Sequence, residues 1–321
     1  MQDKYMSDIE SSGFSTPVAL IIFNRAETTR QVLNVLRKVQ PKQLFVIADG
    51  PRADKPDDQR LCMAAREVVN EIDWPCNVSR HFHDKNLGCG HNPATGLDWV
   101  FEHVDNCIIL EDDCIPDISF FTYCQELLEK YKDNPRIMMI SGNNHLLGKK
   151  NITDSYFFSI NTQTHGWATW KRAWEKYDFN MNDWPKVRSL DWLTNYLGSK
   201  KHAKGWLKTF DTVYDEANNN PKCSYWDFQW TYICWKNNAL NIIPCSNLVT
   251  NTGYGENATH QTPLDHPLAN LPLQEMKFPL KHPAEMVQDY CADSVLQTTV
   301  YGFSSVFKRV YLKFLRVINM S

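Results

Sequence analysis

Short, wholly apolar runs that break off at a polar or acidic turn and hand over to a helix-period segment constrain this chain more than any other feature. Val18 to Phe23 is such a run; it suits a buried strand and falls far short of the roughly 20 apolar residues that a membrane span needs. After Asn24 and Arg25 the spacing predicts a helix with Val32, Val35, Leu36 and Val39 on one face, ending before Pro41. Leu44 to Ala48 predicts a second strand that runs into the turn Asp49-Gly50-Pro51-Arg52. A helix over Asp58 to Ile72, a strand near Val78 to Phe82, a helix from Pro93 to Val104, a strand from Cys107 to Leu110, a helix from Ser119 to Tyr131 and a strand from Ile137 to Ile140 follow. This alternation predicts an α/β fold, a Rossmann-like mixed sheet flanked by helices, with its loops gathered at the carboxyl edge.

The second half changes character. Helices are expected around Trp167 to Tyr177, Trp206 to Ala217 and Trp226 to Lys236, and extended pieces at Leu240 to Ile243 and Leu248 to Asn251. The proline-rich stretch from Thr262 to Pro283 predicts an irregular surface segment. Phe303 to Ile318 predicts an amphipathic helix, with Phe303, Val306, Phe307, Val310, Phe314 and Ile318 opposite Lys308, Arg309, Lys313 and Arg316. Such a helix suits an anionic membrane surface, or docking on the catalytic body or a second subunit. The organisation expected is a polar tail over 1–15, a main domain over 16–262 made of two halves (16–142 and 143–262), and an extension over 263–321.

With 34 basic and 37 acidic side chains the formal charge is -3, so no uniform positive field exists to hold a nucleic acid. The N-terminus is acidic and polar where a signal peptide is basic and then apolar, which predicts a cytosolic location, with the inner face of the membrane as the alternative that Phe303 to Ile318 offers. The cysteines are scattered without a CxxC pair, and several lie in apolar runs, which argues for free thiols over a zinc site or disulfide framework.

Glu111-Asp112-Asp113 closes an apolar strand and is followed by Cys114-Ile115-Pro116. Three adjacent carboxylates resist partial burial unless a cation compensates them, and hard oxygen donors favour Mg²⁺ or Mn²⁺; the other reading is an acidic turn facing solvent. Ligands of open α/β sheets bind at the carboxyl ends of the strands. There Asn24 and Arg25, Asp49 and Arg52, and Asn86 with Gly88 would offer guanidiniums, a carboxylate and a glycine-rich turn suited to a nucleotide diphosphate. Singly each is ordinary: a pair between Arg25 and Glu27 is the other reading of that arginine, and Asp49-Gly50 is a common turn. Asp227, in Tyr225-Trp226-Asp227-Phe228, is the candidate general base, with helix capping as its alternative role. Trp167 beside Gly166 is a candidate sugar platform or a core residue, and His260 lies in a glycine-containing loop of the kind that closes over a bound donor.

PVALIIFNR, LFVIADGPR, NLGCG and IILEDDCIP, followed by HGWATWKRAW, YWDFQW and NLVTNTGYGENATH, together resemble the bacterial family-two-type glycosyltransferases of the GT-A fold. The series is distantly similar to the Golgi N-acetylglucosaminyltransferase that begins complex N-glycans, over about residues 16 to 262. The resemblance implies that Asp49 contacts the nucleotide base, Arg25 the diphosphate, and Asp113 the metal, with Glu111 and Asp112 nearer the ribose and donor sugar. The NLGCG loop departs from the pattern, continuing with His91-Asn92 where relatives often carry a basic residue. The activity expected is metal-dependent, inverting transfer of a sugar from a nucleotide diphosphate donor, expected to be a UDP-sugar, to a glycan or lipid-linked glycan hydroxyl. A sugar nucleotidyltransferase and a non-catalytic carbohydrate-binding protein are the alternatives.

Overall fold

The computed structural model describes residues 14–254 and 268–301. Its centre is an eight-stranded mixed sheet in the order β3-β2-β1-β4-β8-β6-β9-β7. The strands are β1 (Val18–Ile22), β2 (Gln43–Ala48), β3 (Asn77–Phe82), β4 (Asn106–Glu111), β6 (Ile137–Ser141), β7 (Tyr156–Ser159), β8 (Trp167–Trp170) and β9 (Leu240–Pro244). β1 to β4 are mutually parallel, and β6 and β9 run the same way, while β8 is antiparallel to both β4 and β6. The carboxyl ends of β1, β2, β3, β4, β6 and β9 therefore share one edge with the start of β8. β1 and nearly all of β2 are buried, as their unbroken apolar runs require.

The helices α1 (Ala26–Val39), α2 (Asp58–Glu67), α3 (Gly88–His103) and α4 (Ser119–Lys130) make the crossovers of the first half. The first departs from β1 as expected, burying Thr29, Val32, Leu33, Leu36 and Val39. α3 starts earlier than its expected Pro93 boundary. Gly88, at φ +83, opens it in the left-handed region that favours glycine, so NLGCG is a helix start and not a free loop.

The segment beginning at Trp167 corrects the expected helix. Trp167–Trp170 is β8, paired on both sides, and only Lys171–Trp174 (α5) is helical. Burial on both faces makes a strand apolar throughout, and that pattern cannot be told from a buried helix by period alone. Because β8 lies between β4 and β6, one sheet runs through the residue 142/143 boundary.

Beyond the short helices α6 (Trp184–Val187) and α7 (Leu190–Leu197), α8 (Lys200–Asn219) and α9 (Asp227–Lys236) complete the second half. Residues on either side of the expected main domain join the body. Phe14 is buried against Phe121, with ring centroids 5.7 Å apart. α10 (Tyr290–Thr299) buries Ala292, Asp293, Leu296 and Gln297. Phe303 to Ile318 and the greater part of the expected N-terminal tail lie outside the described residues.

Candidate active site

β4 delivers Glu111 to the carboxyl edge, level with Ile21 of β1. Asp112 and Asp113 follow it, 2% and 7% exposed. Buried carboxylates need compensation, and here a guanidinium supplies it. Arg25, at the end of β1, places Nη2 2.6 Å from Asp112 Oδ1 and Nη1 3.0 Å from Asp113 Oδ2. The Phe23 amide also donates to Asp112. Arg25 thus meets the acidic corner, where a diphosphate contact was expected, and Glu27 pairs instead with Arg30. One cation faces three acids. Burial pushes the Asp112 carboxyl up and Arg25 opposes it. Burial, with the charges of Asp113, Asp112 and Asp227, pushes Glu111 up as well.

A small antiparallel ladder closes over this corner. β5 (Cys114–Pro116) pairs with β10 (Val249–Asn251), the Thr252 amide donates to the Asp113 carbonyl, and Asn251 Nδ2 donates to Asp113 Oδ1 at 3.3 Å. A Cβ on Gly253 would collide with Asp113 Oδ2, so any larger residue there would displace the carboxylate that Arg25 and Asn251 hold. Burial and the Asp113 charge raise the neighbouring Tyr254 phenol to about 12. His260 falls outside the described residues.

The remaining edge residues are present, in different roles. Asp49 accepts from the amides of Gly50 and Leu87 at Oδ1 and from Asn86 Nδ2 and the Gly88 amide at Oδ2, at 2.7–2.9 Å. A carboxylate has about four acceptor positions, and all are used in fixing the turn that starts α3. A direct bond to a nucleotide base would have to displace one of these donors. Asn86 is likewise engaged, donating to Asp49 and to the Gly50 carbonyl.

Arg52 and Asn24 converge on Asp58, a residue that the sequence analysis did not single out. Arg52 Nε and Nη2 lie 2.5 and 2.9 Å from Asp58, and Asn24 Nδ2 lies 3.0 Å from it. The Arg52 hydrogen bond pulls the Asp58 carboxyl below its ordinary range, against burial. An acid at the start of the expected helix, six residues beyond Arg52, was the signal available in the sequence.

Asp227 is half-buried in the first turn of α9, whose N-cap position is Trp226. It comes from the second half of the chain, yet its charge acts on Glu111. Gly90 explains the approach. The α3 backbone at Gly90 lies so close to the Cys223–Tyr225 backbone that a Cβ would collide with the Cys223 carbonyl. Cys89 Sγ sits 3.6 Å from the Ser224 carbonyl in the same contact. Trp167 does not face the site. It is 1% exposed, with its ring stacked on Trp226 at 5.8 Å and against Trp230 at 5.7 Å, so it serves the core and offers no face to a sugar.

The donor set fits a divalent cation in charge and hardness, since three carboxylates outnumber the single guanidinium. Among the described residues no three His, Cys, Asp or Glu side chains are grouped to hold an ion by themselves. An ion at Asp113 would therefore share its shell with ligand oxygens or water, as Mg²⁺ commonly does.

No protein-family model matches the sequence, and no curated protein matches it. Solved structures similar to the chain include HddC from Yersinia pseudotuberculosis complexed with GMP-PN, at 6% identity and a TM-score of 0.31, covering 48% of this chain and 77% of that one. Another is 4-diphosphocytidyl-2C-methyl-D-erythritol synthase from Anaerococcus prevotii, at 10% identity and 0.31, covering 50% and 76%. A third is the inositol-1-phosphate CTP transferase from T. maritima, at 9% identity and 0.28, covering 51% and 74%. With TM-scores of 0.28–0.31 these likenesses assign no function to the chain.

Proposed function

We propose that this chain transfers a sugar from a nucleotide diphosphate donor, a UDP-sugar being the first to try, to a hydroxyl of a glycan or lipid-linked glycan acceptor. The observation that carries the reading is the meeting of two acidic elements at one sheet edge. Glu111-Asp112-Asp113 ends β4, and the Cys223–Tyr225 backbone just before Asp227 packs against Gly90 at the start of α3, which brings Asp227 toward that edge, where its charge adds to the upward push on Glu111. Asp227 takes the proton of the acceptor hydroxyl as its oxygen attacks the anomeric carbon. The bond from that carbon to the diphosphate oxygen breaks, its electron pair leaves with the nucleoside diphosphate, and the configuration inverts. Mn²⁺ or Mg²⁺ held by Asp113 would neutralise the charge that develops on the leaving group. Glu111 and Asp112 lie nearer the ribose and donor sugar, and Arg25 positions Asp112 and Asp113.

A second reading is nucleotidyl transfer, the activity in the name of the inositol-1-phosphate CTP transferase. That chemistry places a triphosphate against the first loop. Here β1 passes through Phe23, Asn24 and Arg25 straight into α1, with no glycine-rich basic turn. Glycosyl transfer is therefore the reading favoured.

The products distinguish them. The chain is incubated with a panel of nucleotide sugars and Mn²⁺, and separately with nucleoside triphosphates and sugar 1-phosphates. Free nucleoside diphosphate from the first, released as water takes the place of the acceptor hydroxyl, supports glycosyl transfer; pyrophosphate from the second supports nucleotidyl transfer; neither product, together with no thermal stabilisation by any nucleotide sugar or nucleoside triphosphate, sinks both.

A further inference from the structure

One strongly charged face is not used by the acidic corner. α8 buries Ala203, Trp206, Phe210, Val213 and Ala217 along one side. At 3.6 residues per turn, Lys200, Lys201, Lys204 and Lys208 project from the opposite side, within an arc of about 100°. All four are exposed, and none forms an ion pair among the described residues, whose lysine pairs involve Lys132, Lys150, Lys236 and Lys281. Of the acids next along the helix, Asp211 is paired with Arg188 and bonded by the Trp184 indole, while Asp215 accepts from the neutral amide of Asn219, so four lysines stand on that face against the uncompensated charge of Asp215. In a chain of formal charge -3 this stripe is a local reversal of sign.

On its buried side the same helix sets Trp206 against Tyr301, with ring centroids 4.5 Å apart. The sequence that follows carries Lys308, Arg309, Lys313 and Arg316 among apolar residues.

We infer that the lysine face of α8 docks on an anionic lipid bilayer. Ammonium groups on long stems along a convex helix act as point charges, and present no planar fork to select a particular small anion. A surface dense in lipid phosphates complements such a stripe, each lysine near it strengthening binding about fivefold. No helix among the described residues is long and apolar enough to cross a membrane, so contact through this face is peripheral.

The test uses the full chain and vesicles of phosphatidylcholine with or without about 30% phosphatidylglycerol, in co-sedimentation at about 0.1 M salt. Binding is expected on the anionic vesicles alone and should weaken as salt rises. The K200Q/K201Q/K204Q/K208Q variant should lose at least about tenfold in affinity with its melting temperature unchanged. The corresponding Lys→Arg variant, which keeps the charge, should bind as the parent does. Equal binding to both vesicle types overturns the proposal. So does a Gln variant that binds like the parent, which assigns the contact to residues 302–321, or one that loses affinity for an RNA oligonucleotide and keeps it for vesicles.

Discussion

Arg25 grips Asp112 at 2.6 Å with one guanidinium nitrogen and Asp113 at 3.0 Å with the other, closing the end of β1 onto the end of β4. Removing that cation leaves buried carboxylates facing one another. Arg25→Met is expected to cost about 3 kcal/mol of stability, as broken buried pairs do. Mn²⁺ or Mg²⁺ should return part of the loss, since an ion that binds only the folded chain raises its stability. Chemical denaturation with and without each ion reads both effects. An unchanged midpoint, or a loss indifferent to metal, would count against Asp113 as a cation ligand.

Asp227 can be separated from the binding of donor. Asp227→Asn retains shape and removes the proton acceptor, so kcat for glycosyl transfer should fall by about 10²–10⁴-fold. Donor affinity measured by calorimetry should stay within about twofold, because a base acts on the acceptor and not on the nucleotide. A variant that turns over normally excludes Asp227 as the base.

Gly90 is where two distant segments touch. Gly90→Ala pushes a methyl group into the Cys223 carbonyl, and neither backbone has a flexible end that can yield. Overpacking of this kind costs about 1–3 kcal/mol and should also lower kcat by displacing Asp227. Gly148→Ala is the comparison: Gly148 has φ +70, a backbone strain that Gly90 does not carry, and open space around it, so its alanine variant should lose stability and keep activity. If both variants lose stability alike and keep full activity, the contact does not position Asp227.

Asp293 gives the fold a pH dependence away from the site. It is 4% exposed and accepts from Ser159, Asn161, Gln288 and the Ile160 amide, and burial nevertheless raises its carboxyl to about 6. The folded chain holds this proton more tightly than the unfolded chain, whose carboxyl titrates near the ordinary 3.8. The stability contributed is thus full below about pH 4 and lost as pH rises through about 6, a fall of about 3 kcal/mol. In Asp293→Asn that fall should vanish from the profile of unfolding free energy between those pH values; an identical profile in both proteins would refute the assignment.

Much of the fold was legible along the chain. Apolar runs such as Val18 to Phe23 and Leu44 to Ala48 are too short for buried helices and are bounded by turn signals, so they suit buried strands, and in a parallel arrangement the turns that end them gather at one edge. The acidic corner was legible for the same reason: Glu111 directly follows such a run. β8 was not, because Trp167 to Trp170 is buried on both faces and shows no period of two. α10 was also missed, since its buried residues include Asp293 and Gln297, polar side chains that only their partners make intelligible.

The sequence by itself determined which residues stand at the carboxyl edge, because strand direction and strand end follow from local pattern. Tertiary structure alone decided what each of them does there. A side chain's role depends on which donors and acceptors reach it, and those come from far along the chain: Asp49 is occupied by Asn86, Leu87 and Gly88, Arg52 is drawn to Asp58, and Trp167 is covered by Trp226 and Trp230. Long-range packing is set by the balance of burial and pairing over the whole body, and no single stretch of sequence carries that information.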